Sequence, residues 1–282
     1  MQLGFHPNMS DEVYHSLPGY SKTVLCEPTP YDYWAKRVYT GRKPEEKEKD
    51  SYIAGRLFHC MQGEPEELHK RFVKNQGLHS DGSDKPIRKN SKEYAQWFEK
   101  NPGKTLITPS MWEECERMVT MLGFNKVAQA IYSKPGYSEC SFLSRCPATN
   151  VLTRCRPDRM DDQVSVVGDL KTTGDLKSSP NSFPWEALKY HYHVSAAYTQ
   201  DIIRQTTGKV PKYLFIVIEK PWPHRSAVWE VTSKGIELGR QYYQNRIKLL
   251  ELCKQTGYYP TYFKGEKKYE KPHELFTLVE EL

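Results

Sequence analysis

The sequence predicts an α/β fold in which a mixed central sheet is flanked by helices. After a mainly helical first half, the apolar pattern changes from helical to strand-like spacing near residue 137. The run LFIVI within 213–219 lacks alternation, as expected of a strand that is buried on both faces. The order of helix, three strands, helix and strand is typical of helices packed on a mixed sheet. The 282 residues suffice for one domain with a sizeable core.

Residues 1–135 are predicted to be the mainly helical part of this domain. Residues 9–40 contain short helical pieces separated by loops. Residues 51–61 (SYIAGRLFHCM) fit a buried helix, and residues 108–131 place apolar side chains at helical spacing. Glycines, a proline and basic residues in 75–90 predict an exposed loop.

Residues 136–232 are predicted to form the sheet core. The segments 137–145, 151–156 and 164–172 have strand character and lie close together in sequence, which predicts an antiparallel meander. The pattern then predicts a helix over 183–207, strands over 213–219 and 227–231, and a helix over 233–254 within a C-terminal part that spans 233–282.

The composition limits the classes of protein that fit. Lys and Arg outnumber Asp and Glu by 41 to 35, a net charge of +6 that permits a polyanionic partner without requiring one. No window approaches the roughly eighteen apolar residues of a membrane span, and no signal-peptide pattern is visible, so we expect a cytosolic protein without a membrane partner. The seven cysteines form no CxxC pair and are expected to be reduced, although distant cysteines could still converge on a metal.

The segment that carries chemistry runs from residue 154 to 173. Asp169 and Lys171 are two residues apart in a predicted strand, so both side chains point to one face. Asp158 lies at the end of the preceding strand, and a turn at 160–163 can bring it alongside. Carboxylate oxygens suit Mg²⁺ or Mn²⁺, and a lysine can orient water or stabilise a phosphodiester transition state. A cross-strand salt bridge at a sheet edge explains the D-x-K pattern equally well.

Two further residues are candidates on weaker grounds. His59 lies on the apolar helix over 51–61, where a histidine is either a core residue or a ligand. Glu139 lies on the first predicted strand and is either a surface carboxylate or part of a site.

The order of several short motifs resembles one nuclease family. The chain is similar to the C-terminal nuclease domain of RecE, exonuclease VIII, and its phage relatives in the RecB-like PD-(D/E)XK group, which includes lambda exonuclease. The matching strings, in order, are MSDEVYHSLPGYSKTVL, PTPYDYW, AGRLFHCMQGEP, RFV, GYSE, CRPDRMDD, VVGDLKTT and YHYHVSAAY. The resemblance implies a restriction-endonuclease-like core.

The resemblance also implies roles for individual residues. Mg²⁺, which Mn²⁺ could replace, would be held by His59, Asp158, Asp169 and the backbone carbonyl of Leu170. The implied catalytic residues are Lys171, Asp169, Asp158 and, with less support, Glu139 at an acidic position near a second metal.

The predicted DNA contacts come from both halves of the chain. Ser21 and Lys22, at an expected helix start, match a region that holds a terminal phosphate in relatives, and helix N-termini suit anions. The other predicted contacts are Arg154, Arg156, Arg159, His193 and Tyr198, with at least one arginine open to pairing with Asp161 or Asp162 instead.

The helix after the catalytic strand departs from the family pattern. Where relatives carry Gln-x-x-x-Tyr, this chain has Ser195 and Thr199. Tyr198, His193 or Gln200 could substitute, or the helix could only pack.

The implied activity is that of an exonuclease that degrades one strand of double-stranded DNA from its ends, 5′ to 3′, for recombination by strand annealing. A homo-oligomeric ring, a RecT-type annealing partner and a phage or prophage gene expressed in a bacterial cytoplasm are the implied setting. A nuclease of other polarity, an endonuclease or defence enzyme, and a non-catalytic DNA-binding protein are the alternatives.

Overall fold

The computed structural model describes residues 2–42, 48–79, 81–174, 182–261 and 271–281. Its first part is mainly helical, as predicted, with three short strands. The helices are α1 Asp11–Ser16, α2 Lys22–Leu25, α3 Pro30–Arg37, α4 Asp50–Gly63, α5 Leu68–Arg71, α6 Lys92–Lys100, α7 Pro109–Leu122 and α8 Lys126–Tyr132, and the strands are β1 Gly4–His6, β2 Phe72–Lys74 and β3 Thr105–Ile107.

The second part supplies most of the sheet. Its strands are β4 Gly136–Ser138, β5 Ser141–Arg145, β6 Leu152–Cys155, β7 Arg159–Asp161, β8 Val166–Thr173, β9 Lys212–Glu219, β10 Ser226–Val231 and β11 Phe276–Val279. Its helices are α9 Ser182–Lys189, α10 Tyr192–Thr207 and α11 Ser233–Thr256. Short 3₁₀ turns cover Pro65–Glu67 and Pro272–Glu274.

The central sheet has the strand order β11-β10-β9-β8-β7-β4. Strands β8 and β9 are parallel, with Asp169 opposite Phe215 and Lys171 opposite Val217, while the other neighbouring pairs are antiparallel. The predicted mixed sheet is therefore confirmed. Two smaller sheets, β1-β5-β6 and β2-β3, lie beside it.

Helices cover both faces of the central sheet. On one face Val167 and Phe215 belong to a core shared with α9, α10 and α11. On the other face Leu170 and Ile216 pack in a core with α4, α7 and α8, where Leu57 is fully buried. Because both faces are covered, β9 is apolar from residue 213 to 218, and the expectation from LFIVI is confirmed.

The predicted three-strand meander is wrong in one respect. The strand expected over 137–145 is broken at Glu139, whose φ of 49° lies in the left-handed region, so β4 and β5 enter different sheets. Opposite this break, β6 and β7 are also separated, and the Glu139 amide donates to the Asp158 carbonyl at 3.2 Å. The segment is a two-stranded ribbon that crosses from one sheet to the other with a corner at these two residues.

Three other predictions need correction. The helix over 108–131 is split because Asn125 caps α8 through the amide of Ala128 at 3.0 Å. The helix over 183–207 is split at His191, which has a φ of 56°. The loop over 75–90 is only partly exposed, since Asn75 makes two 2.8 Å hydrogen bonds to the backbone of Ile87, which is 4% exposed.

All seven cysteines are free thiols. Within the part of the chain that the structure describes, no helix combines the length and apolarity needed to cross a membrane.

Helices α10 and α11 approach closely at Gly239, which yields a stability prediction. A Cβ atom at this position would lie 2.3 Å from the carbonyl oxygen of His193, a backbone atom that cannot move independently. We expect Gly239→Ala to lower the free energy of unfolding by about 1–3 kcal/mol through overpacking. Urea denaturation, followed by circular dichroism, measures the free energy of unfolding of the variant and of the wild type.

Gly63→Ala is the matched control for this substitution. Gly63 is the last residue of helix α4, and a Cβ atom there meets nothing within 4 Å. Its free energy of unfolding should stay the same or rise by up to about 1 kcal/mol, because alanine favours helices. Equal stability of both variants would contradict the packing described for α10 and α11.

Candidate active site

The central strand β8 carries a buried ion pair. Asp169 is 7% exposed and its carboxylate accepts a hydrogen bond from the Lys171 ammonium, so both side chains lie on one face, as the spacing predicts. The Tyr213 hydroxyl donates to the other Asp169 oxygen at 2.6 Å. The D-x-K pair is thus a salt bridge, but it lies within one interior strand rather than across strands at a sheet edge.

Asp158 reaches the same place from the corner of the ribbon. It immediately precedes β7, which pairs with β8, and its carboxylate accepts a hydrogen bond from the Leu170 amide at 2.7 Å. Because Leu170 lies between Asp169 and Lys171 in sequence, this bond fixes Asp158 beside the ion pair. The predicted return of Asp158 alongside β8 agrees with this geometry.

His59 and Glu139 complete a cluster around Asp158. His59 projects from α4, and its Nδ1 lies 3.5 Å from Asp158 Oδ2. Glu139 occupies the opposite side of the ribbon corner. One potential ligand atom from each of His59, Glu139 and Asp158 lies within 4.8 Å of the others, and this is the one such group among the described residues.

The cluster contains two carboxyl groups whose ionised forms the protein does not fully balance. Burial and then the negative charge of Asp169 raise the pKa of Asp158 to about 7. Burial and then the charge of Asp158 raise the pKa of Glu139 to about 9. Burial and the Lys171 ammonium lower the pKa of His59 to about 4. Two carboxylates that resist ionisation beside a neutral imidazole form an arrangement that a cation would stabilise.

Asp169 and Lys171 differ from the cluster because they balance each other. Burial opposes the charged form of Asp169, but the Lys171 ammonium and the Tyr213 hydroxyl hold the pKa of Asp169 below its ordinary value. Burial acts likewise against Lys171, yet Asp169 and Asp158 raise the pKa of Lys171. Lys171 therefore remains a cation at neutral pH.

The donor set fits a divalent metal ion. Two carboxylates with one imidazole supply mainly hard oxygen ligands, the kind that Mg²⁺ and Mn²⁺ accept. The predicted ligands His59 and Asp158 lie in the cluster, and Glu139 joins them. The predicted ligand Asp169 lies next to it but is engaged by Lys171, as is the Leu170 carbonyl, which accepts from Lys171 Nζ at 3.2 Å.

A cleft leads to this cluster from the α4 side. Its volume is about 660 Å³, and His59 and Glu139 lie in its wall with Arg56. Arg71 and Glu64, also in the wall, form an ion pair at 2.8 Å. A charged substrate could therefore reach the cluster from this side.

Two of the predicted DNA-binding arginines hold the N-terminal segment. Arg154 is 6% exposed, and its guanidinium donates to the backbone carbonyls of Tyr14, at 2.6 Å, and Leu17. The Arg156 side chain is 7% exposed and binds the Met9 carbonyl at 2.7 Å and the Asp11 carboxylate. The contact of either arginine with DNA stays a prediction.

The two predicted DNA contacts on α10, Tyr198 and His193, are buried side chains. Tyr198 is 1% exposed, and its hydroxyl donates to the Tyr20 carbonyl at 2.7 Å. His193 is 2% exposed, and burial followed by the charges of His191 and Lys22 lowers the pKa of His193 to about 3.

The positions that depart from the family pattern face the interior as well. Ser195 and Thr199 are 9% and 6% exposed. The side-chain amide of Gln200 donates to the Pro211 carbonyl at 2.7 Å, so it is not free to replace a site residue. At these positions α10 packs against the core.

The remaining predicted contacts lie closer to solvent. Arg159 is half-buried and donates to the carbonyls of Tyr132 and Lys134, not to Asp161 or Asp162. Ser21 is the N-cap residue of the four-residue helix α2. Lys22 Nζ donates to the Tyr190 carbonyl at 2.8 Å.

Two tyrosines near the site were not anticipated from the sequence. Tyr213 orients Asp169, and the only available signal was a hydroxyl in an apolar strand, which needs a partner when buried. The Tyr192 ring lies 5.5 Å from Lys171 Nζ and 5.6 Å from Lys22 Nζ. Tyr192 is therefore the α10 side chain that reaches the ion pair, one turn before Ser195.

The fold and the site together define a PD-(D/E)XK-type domain: an acidic residue at the end of a ribbon, a D-x-K pair on the adjoining strand, and a mixed sheet between helices. Residues 25–271 match the family model described as "PDDEXK-like domain of unknown function (DUF3799)". The chain belongs to this family.

Solved structures resemble the chain in fold. A crystal structure from Eubacterium rectale named "Putative exonuclease" aligns with a TM-score of 0.62 and 12% identity over 89% of this chain and 87% of that one. The crystal structure of SSO0001 aligns with a TM-score of 0.31 and 14% identity over 73% of this chain and 88% of that one, which is too distant to support an argument. No curated protein matches significantly. The predicted PD-(D/E)XK fold class is confirmed.

The raised pKa of Glu139 predicts a pH-dependent stability. The unfolded carboxyl loses its proton near 4.5, whereas the folded one holds it to about 9, so the folded state binds more protons in this window. The free energy of unfolding in metal-free buffer should therefore fall as pH rises from 4.5 to 9. Added Mn²⁺ should restore it, because the cation replaces the lost proton. Urea denaturation across pH, with EDTA or Mn²⁺, measures both effects.

Glu139→Gln and Glu99→Gln form the matched pair for this measurement. Glu139→Gln removes one of the two carboxyl groups with a raised pKa, Asp158 being the other, and should reduce the metal-free fall in stability, above all between pH 7 and 9, and weaken the effect of Mn²⁺. Glu99 is exposed on α6, so its amide variant should behave like the wild type. A Mn²⁺ response that survives unchanged in Glu139→Gln would remove Glu139 from the cluster's ligand set.

Proposed function

We propose that the protein is a metal-dependent exodeoxyribonuclease that removes nucleotides from one strand at the ends of double-stranded DNA. The observation that carries this proposal is the convergence of His59, Glu139 and Asp158 beside the Asp169–Lys171 pair. The family and the fold of the Eubacterium rectale neighbour support nuclease activity.

Mg²⁺ is the proposed cofactor, with Mn²⁺ as a substitute. When bound, such an ion would neutralise charge on the phosphate and favour ionisation of a water molecule. His59 offers a neutral nitrogen lone pair at pH 7, since burial and Lys171 lower the pKa of His59 to about 4. The Leu170 amide orients Asp158, and the Tyr213 hydroxyl orients Asp169, so the carboxylates are held before the substrate arrives.

Lys171 is the proposed electrostatic catalyst. Its ammonium is held by Asp169 and by the Leu170 carbonyl at 3.2 Å, and the Tyr192 ring restricts it from a third side. A fixed cation at this point can donate to the oxygen of the attacking water or to a phosphate oxygen as negative charge develops. Because the cation is preorganised, little reorganisation is required during the reaction.

The finer assignments are supported by the resemblance to RecE and its phage relatives. They are 5′-to-3′ polarity, a role in recombination by strand annealing, a homo-oligomeric ring, a RecT-type partner and a phage or prophage origin. The neighbour's name also favours an exonuclease over an endonuclease.

Removal of the ammonium should abolish cleavage. We expect Lys171→Ala to lower the rate of nucleotide release from a linear duplex by about 10²–10³-fold or more, the usual effect of losing one preorganised donor. Lys212→Ala is the control, because Lys212 is exposed at the start of the neighbouring strand β9. Release of acid-soluble label in Mg²⁺ measures the rate, and thermal melting checks folding of each variant.

The form of the DNA tests the exonuclease assignment. A linear duplex with a 5′ label should release labelled mononucleotides early, whereas a covalently closed circle should stay intact. Nicking of the circle at a comparable rate would contradict an exonuclease, and wild-type rates in Lys171→Ala would contradict the assigned site.

A further inference from the structure

Helix α9 carries aromatic side chains on both its buried and its exposed faces. Phe183 is 1% exposed and packs against Phe215 and Trp229 in the core. On the opposite face, Trp185 is 57% exposed and Tyr190, just after the helix, is 48% exposed. Core packing thus accounts for Phe183 but leaves two large rings in solvent, an arrangement that often marks an interaction surface.

A lysine lies between the two exposed rings. Lys189 is exposed and four residues after Trp185, so both side chains project from one face of α9. Its ammonium lies 5.4 Å from the Tyr190 ring centroid. We call Trp185, Lys189 and Tyr190 the aromatic face. It combines two π surfaces with a cation.

The aromatic face is connected to the candidate active site through two further contacts. The Tyr190 ring is stacked on Tyr192 with centroids 5.9 Å apart, and Tyr192 lies 5.5 Å from the Lys171 ammonium. Lys22 bridges the same region, since it bonds the Tyr190 carbonyl and lies over the Tyr192 ring. Contacts thus run from the exposed Tyr190 ring through Tyr192 to Lys171.

Helix α9 is also attached to the catalytic strand. Glu186 accepts a hydrogen bond from the Thr173 hydroxyl, and Thr173 ends β8 two residues after Lys171. Glu186 is the one acidic residue between 182 and 192, and it is used in this contact. The charge that the segment presents to a ligand is therefore mainly positive.

We propose that the aromatic face binds unpaired nucleobases of the DNA strand whose phosphate lies at Lys171. Single-stranded nucleic acid is held by aromatic rings that stack on bases beside cations that pair with phosphates, and both are present here. Bases inside a duplex are stacked on both ring faces, so the surface favours a strand that has separated from its complement. The inference rests on the proposed nuclease function and adds the recognition of a single-stranded segment next to the reacting phosphate.

Binding of an oligonucleotide in the absence of cleavage tests the proposal. The probe is a fluorescein-labelled oligothymidylate of about 12 nucleotides, within the range of single-strand sites, and anisotropy is measured in EDTA. Trp185→Ala combined with Tyr190→Ala should weaken binding about tenfold or more, because two stacking surfaces are lost. Trp185→Phe combined with Tyr190→Phe should retain most of the affinity.

Two controls separate stacking from charge and from general surface effects. Trp222→Ala removes a tryptophan that is 70% exposed on the β9–β10 turn and should leave binding unchanged. An abasic oligonucleotide of equal length and charge should bind the wild type more weakly than oligothymidylate does. The double alanine variant should bind the two probes with equal affinity.

The possible outcomes distinguish this inference from the proposed function. Either of two results would overturn the aromatic face as a base-binding surface. One is that the wild type and the double alanine variant bind oligothymidylate with equal affinity. The other is that the wild type binds both probes with equal affinity. If the wild type meanwhile degrades the linear duplex, the nuclease proposal stands alone. If it degrades no DNA with Mg²⁺ or Mn²⁺, the nuclease proposal fails, and the EDTA binding data still decide the role of Trp185 and Tyr190.

Discussion

The burial of Asp169 within an interior strand is the constraint on which the site depends. A carboxylate with 7% exposure is costly unless it is paired and hydrogen bonded, and Lys171 and Tyr213 meet both requirements. Strand β8 itself contributes as well, because the amide of Leu170, between Asp169 and Lys171, donates the hydrogen bond that orients Asp158. Residues 169–171 of β8 thus bring together the polar side chains of Asp158, Asp169, Lys171 and Tyr213. Apolar side chains pack on both faces of the sheet around them.

The ribbon corner provides what a regular strand could not. Side chains alternate between the two faces of a sheet along a strand. In two regular strands, the register alone would therefore decide to which face Glu139 and Asp158 point. The left-handed conformation at Glu139 breaks the alternation where the ribbon passes from one sheet to the other. Both carboxylates then point toward His59, and their mutual repulsion, together with burial, is the reason that the cluster favours a cation.

Sequence patterns predicted the elements that depend on periodicity and left out those that depend on long-range contacts. The mixed sheet, the D-x-K strand and the approach of Asp158 followed from strand spacing and a short turn. The roles of Glu139 and His59 as site residues were predicted mainly from the resemblance to RecE and its relatives. A single polar residue on an apolar element has several explanations, so its own position in the sequence could not decide its role. The contacts of Arg154 and Arg156 with the N-terminal segment could not be predicted, because arginines beside a motif look alike whether they face solvent or backbone carbonyls more than a hundred residues away.

The contacts of those two arginines have a consequence for the cooperativity of unfolding. Arg154 and Arg156 bind residues 9–17 from the strand and corner that precede Asp158, and a buried guanidinium that loses such hydrogen-bond partners is destabilising. The N-terminal segment is therefore part of the same cooperative unit as the ribbon corner, although more than a hundred residues separate them in sequence. Amide protons of α1 should exchange with solvent at rates closer to those of the ribbon than to those of a frayed terminus.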